Sequence, residues 1–302
     1  MTIFVSHRMS SSKPSPGGFC RLFPGGLPIL AILLAAHPAP IGAGTRQQAS
    51  YVDQQSEYRV SPFQSMWVGR RIWENECQGT VEGLTHWNKG EDFPSLGIGH
   101  FLWYPEGRRD RFEETFPGLI EFCRERGATV PAWLDESPAC PWPTREVFMA
   151  ERRSPRMNEL RTFLATTITL QAEFIARRLA NALPQMIRNL ADDERQAVAA
   201  RFDALFRTPQ GLYALMDYVN CKGEGISPSE RYAGQGWGLL QVLQGMHGFP
   251  EGNDAVREFA ASACRVLERR VSLAPLERRD QERKFLVGWR KRVLGYTGTN
   301  KN

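Results

Sequence analysis

The sequence predicts an α+β protein, mostly α-helical, with a small β-hairpin element after its first helix. Apolar residues recur at helical spacing through most of the chain beyond Phe63. One early stretch, Gly79 to Tyr104, breaks that period. It carries Gly79, Gly83, Gly90, Gly97 and Gly99 among aromatic and β-branched residues, and it reads as irregular chain with short strands. A β-element set into a series of helices, without strands and helices alternating, gives an α+β protein rather than a doubly wound sheet. The composition is ordinary for a globular chain, at 42% hydrophobic and 24% charged residues, and 8 Trp and 17 Phe can fill a sizeable core.

In chain order, Met66, Val68, Ile72 and Trp73 form the apolar stripe of a first helix that runs to about Cys77. Beyond the glycine-rich stretch, helices are expected over Phe112 to Arg126 and from Pro155 to about Asn189, the latter broken near Pro184. Pro131 to Pro143, rich in Pro and Trp, reads as a loop between them. A further helix spans Asp192 to Phe206, and Thr208 followed by Pro209 is an N-cap with proline at the first helical position, opening a helix through Tyr218. Trp237 to Met246, Asp254 to Arg270 and Pro275 to Leu294 complete the set. Residues 63–296 read as a single domain without internal repeats, and 297–302 as a tail that frays.

The first 43 residues differ in kind. Arg8, Lys13 and Arg21 are unopposed by acidic residues, an apolar run from Leu27 to Ala36 follows, and small residues lead to Ala43. This is the pattern of a secretory signal peptide, with residues 44–62 as a polar, flexible leader. The alternative is an uncleaved N-terminal anchor, although the run falls short of the roughly 20 apolar residues that span a bilayer. The chain is therefore expected in the periplasm or outside the cell, with no stable membrane span after cleavage. Taking the three basic residues of this segment from the 38 in the chain leaves 35 against 33 acidic ones, so charge offers nothing toward a nucleic-acid partner. Cys77, Cys123, Cys140, Cys221 and Cys264 remain in the mature part. Buried thiols and one Cys123–Cys140 disulfide are both open readings. No zinc spacing and no phosphate loop is present, so neither a metal nor another cofactor is expected.

The chemistry concentrates in Ile72-Trp-Glu-Asn-Glu-Cys-Gln-Gly79 and in Gly83 to His100, which place carboxylates at a helix end before a glycine-rich turn with aromatic and hydroxyl groups. A glycosidase needs a carboxyl that stays protonated, which burial beside aromatic rings favours, and a polar wall to hold the sugar. Glu74 and Glu76 lie two apart on the helix and so point in different directions; one of them suits a solvated surface role.

Glu76 followed by Ser95-Leu-Gly-Ile-Gly-His100 resembles the phage-type lysozymes, in which a catalytic Glu precedes a hairpin carrying a Thr-Ile-Gly-(Ile/Tyr)-Gly-His-like run. Glu76-Cys-Gln-Gly79 is similar to the Glu-Ser-x-Gly start of lytic transglycosylase domains. The resemblance to the lysozyme-like superfamily covers about residues 66–104 and implies cleavage of peptidoglycan. It implies Glu76 as general acid, Ser95 as a residue that positions water, and Trp87, Asn88, His100 and Tyr104 along the substrate. His100 also reads as a structural hydrogen-bonding residue beneath the hairpin. The sequence departs from the phage pattern at the second carboxylate, where Lys89 falls with Asn88 beside it. Glu91 and Asp92 are displaced candidates for that role, and Glu224 is another further along the chain. A lytic transglycosylase needs no second carboxylate, since the substrate's own hydroxyl attacks.

A second segment, Asp217 to Gly225 followed by Glu230 to Gln241, reads either as a glycine-rich loop or as an opposite cleft wall. In the latter reading Asn220, Lys222, Glu224, Tyr232 and Gln241 offer hydrogen bonds, and Gly234, Gly236 and Gly238 allow close backbone approach to a ligand. The arginine-rich stretches Arg177-Arg178, Arg269-Arg270, Arg278-Arg279 and Arg290 to Arg292 read as solvated faces. Two rivals to the peptidoglycan-cleaving enzyme are a catalytically inactive wall-glycan-binding protein and a chitinase- or chitosanase-like enzyme. A cysteine hydrolase through Cys77 or Cys221 lacks a Cys/His signature.

Overall fold

The computed structural model describes residues 58–109 and 112–298; the expected signal peptide and most of the expected leader lie outside the described residues. The protein is mostly helical, with a small antiparallel sheet near its start. Tyr58 packs its ring edge-on against Phe202 and Phe206 at 5.5 and 5.0 Å.

Helix α1 spans Pro62–Glu76. A capping box starts it: Ser61 Oγ accepts from the Gln64 N–H at 3.2 Å, and Gln64 Oε1 accepts from the Ser61 N–H at 3.0 Å. It ends where Gln78 and Gly79 both turn to positive φ (57° and 63°) and the Gly79 N–H returns to the Trp73 carbonyl at 3.1 Å. The chain then forms β1 (Thr85–His86), β2 (Ser95–Leu96) and β3 (Phe101–Leu102), an antiparallel sheet in that order, with Leu96 opposite both Thr85 and Phe101. Its outer side carries a small cluster of its own, formed by Phe93, Leu102, Tyr104 and Phe112.

Helices α2 (Phe116–Glu125), α3 (Ala132–Asp135) and α4 (Arg145–Ala150) follow. The Pro131–Pro143 segment thus contains one short helix and leads into another that the sequence reading left out. Both are brief: Trp133 of the first packs with Trp142 around Trp103, and Phe148 of the second packs on Trp142 at 5.3 Å. The long helix expected from Pro155 is instead two, α5 (Pro155–Thr166) and α6 (Ile168–Ile187), and Pro184 lies inside α6 without ending it. The break falls at Thr166-Thr167. There the Thr167 hydroxyl joins its own N–H on the Phe163 carbonyl, at 2.7 and 3.1 Å, and Gln171 Nε2 takes the Leu164 carbonyl at 2.7 Å, so side chains compete with the backbone ladder.

Helix α7 (Asp192–Phe206) has the limits its sequence predicts, and α8 (Pro209–Lys222) starts at the predicted Thr208 cap, whose Oγ1 accepts from the Gly211 N–H at 3.0 Å. After it comes a two-stranded hairpin, β4 (Arg231–Tyr232) and β5 (Gln235–Gly236), turning on Ala233 and Gly234 at positive φ. Helices α9 (Leu239–Gln244), α10 (Gly252–Leu273) and α11 (Leu276–Leu294) complete the chain. One continuous apolar cluster runs from Val68 to Tyr296. Helix α1 lies on α6 and α8, α8 also packs on α7 and α10, and α11 lies along α10.

Cys123 and Cys140 are separate buried thiols, not a disulfide. Among the described residues no helix is long and apolar enough to cross a membrane, and no group of His, Cys, Asp and Glu is placed to hold a metal ion.

Candidate functional site

The last residue of α1 carries the centre of the site. The side chain of Glu76 is only 4% exposed, and its Oε1 accepts from the guanidinium of Arg292, at the far end of α11. A carboxylate at a helix C-terminus meets the negative end of the helix dipole, so a cation at that place offsets an unfavourable local field. Arg292 also grips Asp217, in α8, with Nε on Oδ2 at 2.8 Å and a terminal nitrogen on Oδ1 at 2.6 Å. This fork-shaped pair suits a guanidinium on a carboxylate. Tyr296 donates to Asp217 Oδ2 at 2.5 Å, Tyr213 to Oδ1 at 3.2 Å, and Asn75 to the Tyr213 hydroxyl at 2.5 Å. Although burial opposes it, the Asp217 and Glu76 carboxylates hold Arg292 well above its ordinary pKa. Burial, and after it the Asp217 charge, push the Tyr213 and Tyr296 hydroxyls up. Helices α1, α8 and α11 therefore converge on one nest with two carboxylates, one guanidinium and two phenols.

The glycine-rich turn brings His100 to the same place. Gly97 has φ +67°, and a Cβ there would lie 2.3 Å from Gln171 Oε1, so only glycine lets the turn dock on α6. That same oxygen accepts from the Ile98 N–H at 2.9 Å. Gly99 has no room either, since a Cβ would meet the Phe101 ring at 2.6 Å. His100 follows at φ 49°, half-buried, with no partner for its buried Nδ1. Burial pushes its pKa down, the Glu76 carboxylate pulls against that, and Arg292 adds to the lowering. The imidazole is thus held neutral next to the Glu76–Arg292 pair. Cys77 is buried beside them, and burial, with the Glu76 charge, pushes its thiol up to about 12, which leaves little thiolate for nucleophilic attack.

The other residues singled out by sequence take varied places. Ser95 is buried in the central strand. Trp87 is buried against Phe148 and donates to the Glu91 carbonyl at 2.8 Å, and Tyr104 donates to the Phe112 carbonyl at 3.2 Å; both sit in the interior of the sheet lobe. Asn88 contacts His86 at 2.7 Å and donates to both Glu91 oxygens at 3.0 Å. Burial raises the Glu91 pKa against those bonds. Asp92 points outward and pairs with Arg108 at 2.7 Å. Asn220 is half-buried on α8, its buried Oδ1 lacking a partner.

Glu224 lies just past the end of α8. It is 4% exposed, Oε1 has no partner, and burial together with the Glu230 charge pushes its pKa up to about 8. Its other charged neighbours are Arg178 and Glu113, and among the described residues no hydrogen bond or ion pair joins it to Glu76. Tyr232 donates to Glu282 at 2.7 Å. Gln241 clasps the loop, accepting from the Gly238 N–H at 3.0 Å and donating to the Gly225 carbonyl at 3.1 Å. Gly225, Gly236 and Gly238 are thereby filled by the protein itself: a Cβ on any of them would lie within 2.6 Å of Gln241 or of the facing loop backbone.

Sequence reading names Asp217 and Arg292 only within longer segments and does not single out Tyr213 or Tyr296. It also took the arginine runs for solvated faces, whereas Arg178, Arg270 and Arg292 turn inward to Glu113, Glu282 and Glu76, and their neighbours Arg177, Arg269 and Arg290 stay outside. Adjacent helical residues differ by about 100° in direction, so a run of arginines on a packed helix sends one member inward. In comparisons with known proteins, no family model, no curated protein and no solved structure matches this chain.

Proposed function

We propose that the chain is a lysozyme-like enzyme that cleaves the glycan of peptidoglycan, as a muramidase or a lytic transglycosylase, with Glu76 as general acid. One observation carries the reading: a buried carboxyl at a helix end lies beside the histidine of a glycine-rich turn, and the cation paired with it among the described residues also holds a second carboxylate. In the resting protein Arg292 shares itself between Glu76 and Asp217. A sugar that draws Glu76 away from Arg292 leaves the guanidinium neutralised by its two bonds to Asp217, and the freed carboxyl takes up a proton. Glu76 then donates that proton to the glycosidic oxygen as the bond to the anomeric carbon breaks. Water, or the sugar's own hydroxyl, attacks that carbon and returns a proton to the Glu76 carboxylate. Neutral His100 adds a hydrogen-bonding group without a second charge.

The catalytically inactive wall-binding protein is a second reading, favoured by the Glu76–Arg292 pair itself, since an ion-paired carboxylate has no proton to give. Mass spectrometry of fragments from purified peptidoglycan, treated with the protein and with Glu76→Gln, separates these. Anhydro-ended fragments that the variant fails to make identify a transglycosylase, and reducing ends a hydrolase. Binding without fragments from either protein overturns the enzyme reading. Loss of a general acid lowers turnover by roughly 10² to 10⁴.

A further inference from the structure

Away from Glu76, a cavity of about 520 Å³ opens between the β4–β5 hairpin, the C-terminal end of α9 and α10. Arg231 and Gln235 line it from the hairpin, Gln241 and Gln244 from α9, and Arg269 from α10. The arginines around it differ in what they already hold. Arg270 is committed to Glu282 at 2.8 and 2.9 Å, and Arg265 to the Gly245 carbonyl and Glu258 at 2.7 Å each. Among the described residues neither Arg231 nor Arg269 has an ion pair. The carboxylate next to Arg231 in sequence, Glu230, is turned inward and accepts from the Gly225 N–H at 2.8 Å. Two guanidiniums without an ion pair therefore face a cavity whose other polar side chains are primary amides, of which Gln241 is bonded to its own loop and Gln244 donates to Glu194 at 2.8 Å. The hairpin tip that forms its lip holds Ala233 at φ 49°, a conformation an alanine adopts only at a cost of about 1–2 kcal/mol.

Guanidiniums match carboxylates in fork geometry, and amide side chains match the donors and acceptors of a peptide backbone. The volume is in the range that takes small ligands. No large apolar side chain lines the cavity, which argues against an apolar occupant. We propose that this pocket binds a short acidic peptide, with its carboxylate between Arg231 and Arg269 and its backbone amides on Gln235 and on the Gln244 side-chain carbonyl oxygen, while Gln241 stays clasped to the loop. The inference goes beyond the glycosidase reading and does not need it. Peptide stems of the cell wall are the natural source of such a segment where that reading holds.

Calorimetric titration of the full chain with the tripeptide Ala-Glu-Ala tests it, set against the same peptide with both carboxylates amidated and against inorganic phosphate. The free-acid peptide should bind, and amidation or the exposed double substitution Arg231→Gln/Arg269→Gln should each weaken it roughly tenfold or more. Arg257→Gln, on the outer face of α10, should leave binding unchanged. Equal binding of the amidated peptide, indifference to the double substitution, or binding of phosphate alone would overturn the proposal. Peptide binding is read separately from glycan cleavage: Glu76→Gln should abolish fragment release and leave peptide affinity as it was. Cleavage without peptide binding sinks this proposal alone, and peptide binding without cleavage sinks only the enzyme reading.

Discussion

Glu76 and Glu224 are both carboxylates buried beside glycine-rich turns, and they solve the problem of burial in opposite ways. Glu76 has a counter-charge, the Arg292 it shares with Asp217, brought from the other end of the chain. Glu224 has an unpartnered oxygen and a like charge nearby in Glu230, so it keeps its proton, with a pKa pushed up to about 8. A buried acid is tolerated either as half of an ion pair or as a neutral group. The first arrangement depends on its cation. The second depends on pH and is sealed by its own loop, where Gln241 occupies the space next to Gly225 and Gly238.

Breaking the first arrangement should have the largest effect on stability. Arg292→Met leaves Glu76 and Asp217 buried without a cation, and removing one partner of such a pair costs about 3–5 kcal/mol. Thermal unfolding should show a large loss, partly recovered when Glu76→Gln and Asp217→Asn are added. An unchanged midpoint would mean the nest is looser than its distances state.

Gly238→Ala comes next, because its Cβ would fall 2.1 Å from the Gly225 backbone nitrogen, where neither side can give. The cost should exceed the roughly 1–2 kcal/mol of Gly234→Ala, which meets only the penalty of a positive φ. Similar midpoints for the two variants would contradict the sealed-loop description.

The second carboxylate has a smaller, pH-dependent signature. Glu224 rises from an ordinary 4.5 to about 8, so between those values the folded protein holds a proton that the unfolded chain releases. Its contribution to stability is therefore greatest below about pH 4.5 and is lost as pH rises toward 8, at up to about 1.4 kcal/mol per pH unit. Glu224→Gln, which cannot ionise, should match the parent in acid and exceed it at pH 8. A variant that is less stable at pH 8 would show that Glu224 has a charged partner. Smallest of all, the buried thiols of Cys123 and Cys140, pushed up to about 12 by burial, should resist a thiol reagent at pH 8 until the protein unfolds.

Local chemistry was legible in the sequence where it was written within a few residues. The Thr208-Pro209 cap, the limits of α7 and the glycine-rich turn between Gly97 and His100 fall where the pattern put them. Failures came where distant contacts decide. Pro184 is a stronger local signal than Thr166-Thr167, yet packing of α6 carries the helix through the proline, while hydroxyls and Gln171 end α5. Glu76 could be singled out from its helix end. Arg292, 216 positions later, could not, because a helical arginine run says nothing about which member turns inward.

Fragment release from purified peptidoglycan by equal amounts of folded parent, Glu76→Gln and Glu224→Gln protein tests the central claim most directly. The account predicts that the parent and Glu224→Gln release fragments while Glu76→Gln is silent. Silence of Glu224→Gln with an active Glu76→Gln would contradict it and move the catalytic acid to the other carboxylate.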